Sequence, residues 1–452
     1  MRLPITLSLV LAVLVSVKAE SPSVEGTMPE DYLPGLKPLL KEAVERSPTT
    51  ISASIALAQS EASKYLNAAA LYPSLNANTS YQETKETITN SLPSTSKGLL
   101  YGASIYQPVF EWGAYKNQAQ IGALGVKIAE RQFADAYRTL ASTIREQYMG
   151  LIEKKIQLRN GRFQQKLAEK ALAAQHARFE AGSVSEAEVQ GFSMNVEETT
   201  LAADRAEEDF RYAKRVFTRL VGIDDLSDDL IPLELPHPEY SASLADAVLT
   251  GFVGEGIEST FQNEVYHMYL QQADKSYKIA AVRLLPKLNA GASYNYSNYT
   301  AVSSTSISQV GVKSESVNLA ANWTIFDGFA TKGSKLAALE NKRYYERLRQ
   351  TYIDTTVDSV TNMRHTLGFS QRAMALAEVH DALIEVQVKR IKEDKDLGYA
   401  SEATIDAAIL NADATQFLMA NARAAYLGNW TDFISLAGVD PALANVPTRY
   451  VH

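Results

Sequence analysis

The sequence predicts a mixed, mainly α-helical fold with a smaller β component, built as two copies of one unit. Three observations carry this. Phe110 and Phe326, Gly182 and Gly398, and Gly222 and Gly438 each stand 216 positions apart in the 452 residues, an interval that marks a duplicated domain rather than a short-repeat solenoid. Each copy holds a proline-free run of about 68 residues, at 112 to 179 and 328 to 396; as one helix at ~1.5 Å per residue, such a run spans on the order of 100 Å. Each copy also holds two short segments in which apolar and polar residues alternate with period two, the pattern of β-strands.

The chain opens on an address rather than a piece of fold. Arg2 gives a positive start, residues 5 to 17 an apolar stretch, and Val17-Lys18-Ala19 a small-residue cleavage site, the layout of an export signal over 1–19. The stretch is too short for a membrane anchor, which takes about 20 apolar residues. There is no cysteine, so neither a disulfide framework nor a lipidated cysteine is available. Loss of Arg2 and Lys18 moves the formal charge from −8 to −10. That balance sets nucleic acid aside as a partner, since such binding needs clustered Lys and Arg.

In the first copy Leu75, Ala77, Thr79 and Tyr81 alternate with Asn76, Asn78 and Ser80, and Leu99, Tyr101, Ala103 and Ile105 with Leu100, Gly102, Ser104 and Tyr106. In the second, Leu288, Ala290, Ala292, Tyr294 and Tyr296 oppose Asn289, Gly291, Ser293 and Asn295. Val317, Leu319, Ala321, Trp323 and Ile325 then oppose Ser316, Asn318, Ala320, Asn322 and Thr324. Each pair forms a hairpin with a Ser- and Thr-rich loop, expected at 89 to 97 and 300 to 309. Tyr-Pro-Ser-Leu-Asn-Ala (72 to 77) and Leu-Pro-Lys-Leu-Asn-Ala (285 to 290) stand only 213 apart, so the second copy has three extra residues, expected in a loop. Strands of about 10 residues with a polar inner and an apolar, Tyr-bearing outer face suit a transmembrane β-barrel. A soluble hairpin packed on a helix satisfies the same pattern.

The remainder reads as helix. Each long helix ends at Gly182 or Gly398, glycine being able to take the left-handed conformation that closes a helix. Ser185 or Ser401 follows three residues on as the cap of the next, so two antiparallel helices meet in a tight hairpin twice per chain. The returning helices carry heptads: Val189, Phe192, Val196, Thr199, Ala203, Ala206, Phe210, Ala213, Phe217 and Leu220, and Ile405, Ala408, Ala412, Thr415, Met419, Ala422, Tyr426, Asn429, Phe433 and Leu436. Steps of three and four mean helices packed side by side, and the alanines allow close approach. One shorter helix per copy, about 34 to 70 and 244 to 284, runs into the first strand. The expected divisions are 1–19 (export signal), 20–33 (N-terminal segment), 34–224 (first repeat), 225–243 (linker), 244–440 (second repeat) and 441–452 (tail).

These residues carry a resemblance. The prolines before each outgoing strand, Phe-Glu-Trp-Gly (110 to 113) and Phe-Asp-Gly-Phe (326 to 329) after each return strand, Phe-x-x-Gly-x-x-Ser at 179 to 185 and the closing Leu-x-Gly motifs together resemble the outer-membrane efflux duct family typified by TolC, over about residues 34 to 440. The resemblance implies a homotrimer in a Gram-negative outer membrane. Each chain would give two hairpins to a 12-stranded transmembrane β-barrel and its long helices to an α-barrel crossing the periplasm. It implies a passive, gated exit duct for small toxic compounds or for type I protein secretion, contacting outer-membrane lipid and docked through a periplasmic adaptor protein to an inner-membrane transporter. No cofactor is implied. The family's mouth carries acids about six and nine positions past the hairpin glycine. Here Glu188 stands six past Gly182, but Thr404, Gly191 and Ala407 hold the other such positions. The candidate gate is therefore Glu186, Glu188, Glu402 and Asp406 together, acids that equally suit a helix N-terminus by its dipole. Gly182, Ser183, Ser185, Gly398 and Ser401 are the candidate adaptor-contact tips.

An enzyme is not expected. The six histidines show no i, i+4 pair, and no phosphate loop or nucleophile elbow is present. Asp224, Asp225, Asp228 and Asp229 admit a calcium site, but they read better as part of a solvated linker kept extended by Pro232, Pro236 and Pro238. A non-conducting coiled-coil envelope protein is the alternative function; it has no use for strands with tyrosines on one face.

Overall fold

The computed structural model describes residues 24, 26–87, 94–302 and 306–446. The export signal expected at 1–19, the hairpin residues 88–93 and 303–305 and the end of the tail lie outside them. The elements follow in order as α1 (Pro29–Tyr32), α2 (Leu36–Arg46), α3 (Pro48–Ala68), β1 (Ser74–Glu86), β2 (Ser94–Phe110), α4 (Ala114–Glu180) and α5 (Glu186–Val221). The second copy supplies α6 (Ala242–Gly254), α7 (Phe261–Ala281), β3 (Lys287–Val302), β4 (Ile307–Asn322), α8 (Ala330–Asp396) and α9 (Glu402–Leu436). The two long helices are each 67 residues, as the proline-free runs require. Among the described residues no helix is long and apolar enough to cross a membrane.

The shorter helix of each copy is broken, contrary to expectation. Pro48 cannot continue the hydrogen-bonding of α2, and Ser47 instead caps α3 by accepting from Thr49 N–H. In the second copy α6 stops at Gly254, and a 3₁₀ turn (Gly256–Ser259) precedes α7. The strands, at 13 to 17 residues, are longer than expected. Thr95, Ser96, Lys97, Thr300 and Ser308 pair in the ladder instead of looping, the β-branched threonines being well suited to a strand. At the other end β4 stops at Asn322, opposite the first residue of β3, leaving Trp323 to Ile325 outside the ladder.

The helices lie side by side as a wall: α3 and α5 end to end along one flank of α4, α7 and α9 along its other flank, and α8 beyond them. Small residues set the spacing. A Cβ on Gly122 would stand 2.7 Å from Asn67 of α3, and one on Gly161 3.4 Å from the Ala203 Cα of α5. The heptad stripes face these seams, with Val189, Ala203, Phe210 and Phe217 buried on α5 and Ile405, Thr415, Tyr426 and Phe433 on α9.

Above the wall the strands form one antiparallel sheet in the order β1-β2-β3-β4. Register places the expected apolar residues in rows across it, Leu75 to Ile105, Ala292 and Val317, with Asn76, Ser104, Ser293 and Ser316 in the row behind. Both hairpins pair equivalent residues from the base upward, Ser74 with Tyr106 and Lys287 with Asn322, so the three extra residues fall at the far end of the second hairpin, where Thr300, Ala301 and Val302 extend the ladder against Gln309, Ser308 and Ile307 rather than lengthening a loop as expected. The apolar face is bare: Leu75, Tyr81, Val317 and Leu319 are all strongly exposed. Each return strand meets its long helix through two successive left-handed residues, Trp112-Gly113 and Gly328-Phe329. Glycine takes one position and an aromatic the other, in opposite order.

Around the middle of the wall runs a belt, and it corrects the reading of the linker. Leu226, Ile231 and Leu235 are buried in the same core as α2, the centre of α4 and the C-terminal half of α9, because apolar side chains spaced along an extended segment gain by covering the helices. Lys155 Nζ donates to the carbonyls of Asp228 and Ile231 at 2.6 and 2.5 Å, and Arg423 Nη1 to Leu235 O at 2.6 Å. The expected acidic patch is tied to protein, Asp225 and Asp228 pairing with Lys214.

At the centre of the belt Arg145 of α4 is fully buried. Its guanidinium donates to both Glu30 oxygens (2.8 and 2.6 Å) and both Asp440 oxygens (2.5 and 2.9 Å). Burial works to lower its pKa, but the hydrogen bonds of Asp440 and Glu30 outweigh that and hold it charged. One side chain thus clamps the beginning of the chain and the end of its second repeat to the middle of α4.

Candidate functional site

The expected turns form at the far ends of the long helices. Gly182 and Gly398 take φ of 69° and 82°. Ser183 N–H donates to Arg178 O and Gly182 N–H to Phe179 O; Tyr399 N–H and Gly398 N–H do the same to Asp394 O and Lys395 O. This is the Schellman arrangement, in which a left-handed glycine lets the last carbonyls of a helix find donors. A Cβ at either glycine would meet nothing within 4 Å, so glycine is held there by backbone conformation alone. Phe179, Leu397 and Tyr399 are exposed beside the turns.

The two returning helices start differently. Ser185 Oγ accepts from Glu188 N–H (3.3 Å), and the Glu188 carboxylate accepts from Ser185 N–H (2.9 Å), a reciprocal capping box. Ser401 Oγ likewise accepts from Thr404 N–H (3.2 Å), with no carboxylate to complete the box. Of the four candidate acids, Glu188 is therefore turned onto its own helix end. Glu186 is exposed and has no ion-pair partner among the described residues.

Glu402 and Asp406 do meet a common partner, which the sequence reading missed. Lys170 of α4 reaches Asp406 at 2.9 Å and Glu402 at 3.3 Å, and Lys395 also bonds Glu402 across the turn. Lys170 ties the first hairpin to the second beside the turns, and farther up α4 Arg159 does so again through Asp413 and Gln416. Glu402 is held below the usual carboxylate range by its hydrogen bonds to Lys395 and Lys170, and Lys170 is raised chiefly by Asp406. No local signal marks Lys170, because its partners lie 232 and 236 positions away. The exposed Leu397 and Tyr399 flank a glycine already singled out, and their position was the available signal.

Comparison with known proteins agrees with this architecture. The family model of outer membrane efflux proteins matches residues 39–222 and 264–439, one stretch in each copy. No curated protein sequence matches significantly. Among solved structures, the Campylobacter jejuni CmeC outer membrane channel is 15% identical with a TM-score of 0.72, covering 97% of this chain and 94% of that one. VceC, the outer membrane protein of Vibrio cholerae, is 14% identical with a TM-score of 0.65, covering 91% of this chain and 99% of that one. The Neisseria gonorrhoeae MtrE outer membrane channel, solved in its open state, is 14% identical with a TM-score of 0.66, covering 90% and 89%.

Proposed function

From the premise that this chain belongs to the outer membrane efflux protein family, and so sits in the outer membrane with a helical tunnel in the periplasm, we propose that it is the gated exit duct of a tripartite export system. It works as a homotrimer that receives small toxic compounds or secreted proteins from an inner-membrane transporter through a periplasmic adaptor. The repeats 34–224 and 244–440, joined by 225–243, each contribute one hairpin and one stretch of wall.

The observation that carries this reading is the pair of open edges. β1 and β4 end the sheet without partners, which lipid cannot tolerate. On the helical wall, α8 exposes Phe369, Leu376, Val379, Leu383 and Val386 in heptad steps. At the opposite edge α5 exposes Met194, Leu201 and Tyr212. Counted from the turns, Met194 stands level with Val386, Leu201 with Leu383 and Val379, and Tyr212 with Phe369. Edge α8 of one copy therefore fits edge α5 of the next, and three copies close both wall and sheet.

At the mouth, Lys170 bound to Glu402 and Asp406 holds the two hairpins of a copy together, and spreading them breaks that link. Glu186 supplies free negative charge to the same rim, and Glu188 keeps its helix start rigid. A ring of like charges at a constriction favours cations. The turns at Gly182, Ser183, Ser185, Gly398 and Ser401, with the exposed Phe179, Leu397 and Tyr399, are the surface offered to the adaptor. The test is single-channel recording of the purified trimer in a planar bilayer, beside a variant with Glu186, Glu188, Glu402 and Asp406 neutralised. Small cation-preferring steps that lose selectivity in the variant support the gate; a folded trimer that never conducts removes the duct.

A further inference from the structure

Midway along the wall, between α4 and α9, lies a niche of about 390 Å³ that no role described so far uses. Ser142, Glu146, Gly150 and Glu153 line it from α4 and Asn421, Gly428, Thr431 and Asp432 from α9. At ~100° per residue, the α4 stripe points roughly 150° away from Tyr137, Ile144, Tyr148 and Ile152, which pack into the belt. If the belt wraps the outside of the duct, the niche opens on the tunnel; this placement rests on the duct reading.

The chemistry of the niche is one-sided. It is lined by three carboxylates and no lysine or arginine. Thr431 is only 2% exposed, yet its Oγ1 has no hydrogen-bond partner, and neither has the buried Oδ1 of Asn421. Asp432 accepts from Ser142 Oγ at 2.7 Å. Burial pushes the Glu153 carboxyl up, opposed only by Lys154. Unsatisfied buried acceptors cost stability, and what they lack is a ligand with positive charge and N–H donors. A bare metal ion does not fit, since among the described residues no three His, Cys, Asp or Glu come together to hold one. The space, enough for about a dozen waters at ~30 Å³ each, suits a larger guest, and Met149 and Ala424 provide an apolar side.

We propose that this niche binds primary alkylammonium compounds of the polyamine class, one per protomer, on the tunnel wall. Asn421 and Thr431 stand ten residues apart on α9, about 15 Å at the helical rise, so one ammonium sits between Glu153 and the Asn421 Oδ1, the other between Asp432 and the Thr431 Oγ1, and the alkyl chain lies along Met149.

Titration calorimetry of the detergent-purified trimer with 1,5-diaminopentane tests this, with MgCl2 as competitor. Binding of the diamine is expected, undisturbed by an equal concentration of Mg2+ and weakened at least tenfold by Glu153→Gln. Gly150→Leu should abolish it: a Cβ there meets nothing within 4 Å, so the side chain enters the niche, and leucine suits a helix better than glycine. Absence of binding, displacement by Mg2+, or equal binding by both variants overturns the proposal. Because calorimetry needs no conduction, a trimer that fails to conduct sinks the duct while the niche is still measured.

Discussion

Replacing Arg145 with methionine should unfold the belt well before the rest of the molecule. Methionine matches the arginine stem in length, so little packing is lost, but Glu30 (9% exposed) and Asp440 (4% exposed) are left facing each other with no counter-charge. Removing one partner of a buried ionic cluster costs about 3–5 kcal/mol, and here four charge-assisted hydrogen bonds go at once. Trp430 reports the event, since its Nε1 donates to Thr27 Oγ1 at 3.1 Å within the belt. In a background with Trp112 and Trp323 changed to phenylalanine, guanidinium denaturation followed by Trp430 fluorescence should show a transition weakened by that amount. Adding Glu30→Gln and Asp440→Asn to Arg145→Met should recover most of the loss, because no buried charge then remains. A single variant within ~1 kcal/mol of the parent, or a triple variant no better than the single, would refute the clamp.

Three further outcomes follow from the same geometry. Val379→Asp with Leu383→Asp should leave helical content intact and yield monomers by light scattering, since the change falls on the exposed seam of α8; trimers of normal mass would contradict the edge-to-edge closure. Gly222→Ala should cost about 2–5 kcal/mol, joining ~1–2 for left-handed backbone and ~1–3 for overpacking, because its Cβ would lie 2.1 Å from Arg46 O. Its counterpart Gly438→Ala, with nothing within 4 Å, should cost only ~1–2 kcal/mol, and equal melting of the two would refute the contact. Lys170→Ala should raise conductance at neutral pH. In the parent, Glu402 is held below its usual 4.5 and Lys170 above its usual 10.5, so the link survives between those limits and loosens as pH falls through the depressed carboxylate range or rises through the raised range of Lys170. A parent conductance that already climbs near pH 6 would argue against the link.

What the sequence disclosed and what it withheld divide by range. Proline-free runs, period-two alternation and the glycine turns are properties of neighbouring residues, and α4, α8, the strand faces and the Schellman turns at Gly182 and Gly398 were readable from them. The break at Ser47-Pro48 was visible too, but Pro48 stands inside an otherwise helical pattern, where it also marks the start of α3. The belt was hidden, because the burial of Leu226, Ile231 and Leu235 depends on helices far away in the chain. The mouth was half legible. Glu402 and Asp406 stood out as acids after a turn, whereas Lys170 is one of 44 Lys and Arg residues and acquires meaning only when the second copy is laid against the first. Glu188, a candidate for the charged rim, also closes the capping box at its own helix start, which only the direction of its side chain reveals.

The two long helices match to the residue, 67 against 67, and the returning helices nearly so, 36 and 35. Their length works as a gauge for the gap the protein spans, and it is recorded twice in one gene. An insertion of one heptad in a single copy would push one turn ~10 Å past the other, tilting the rim and pulling Lys170 off its partners. Any lineage that lengthens or shortens the gauge must therefore edit both copies together, in whole heptads, so differences between the two copies should gather at the strand tips, where the three extra residues already sit.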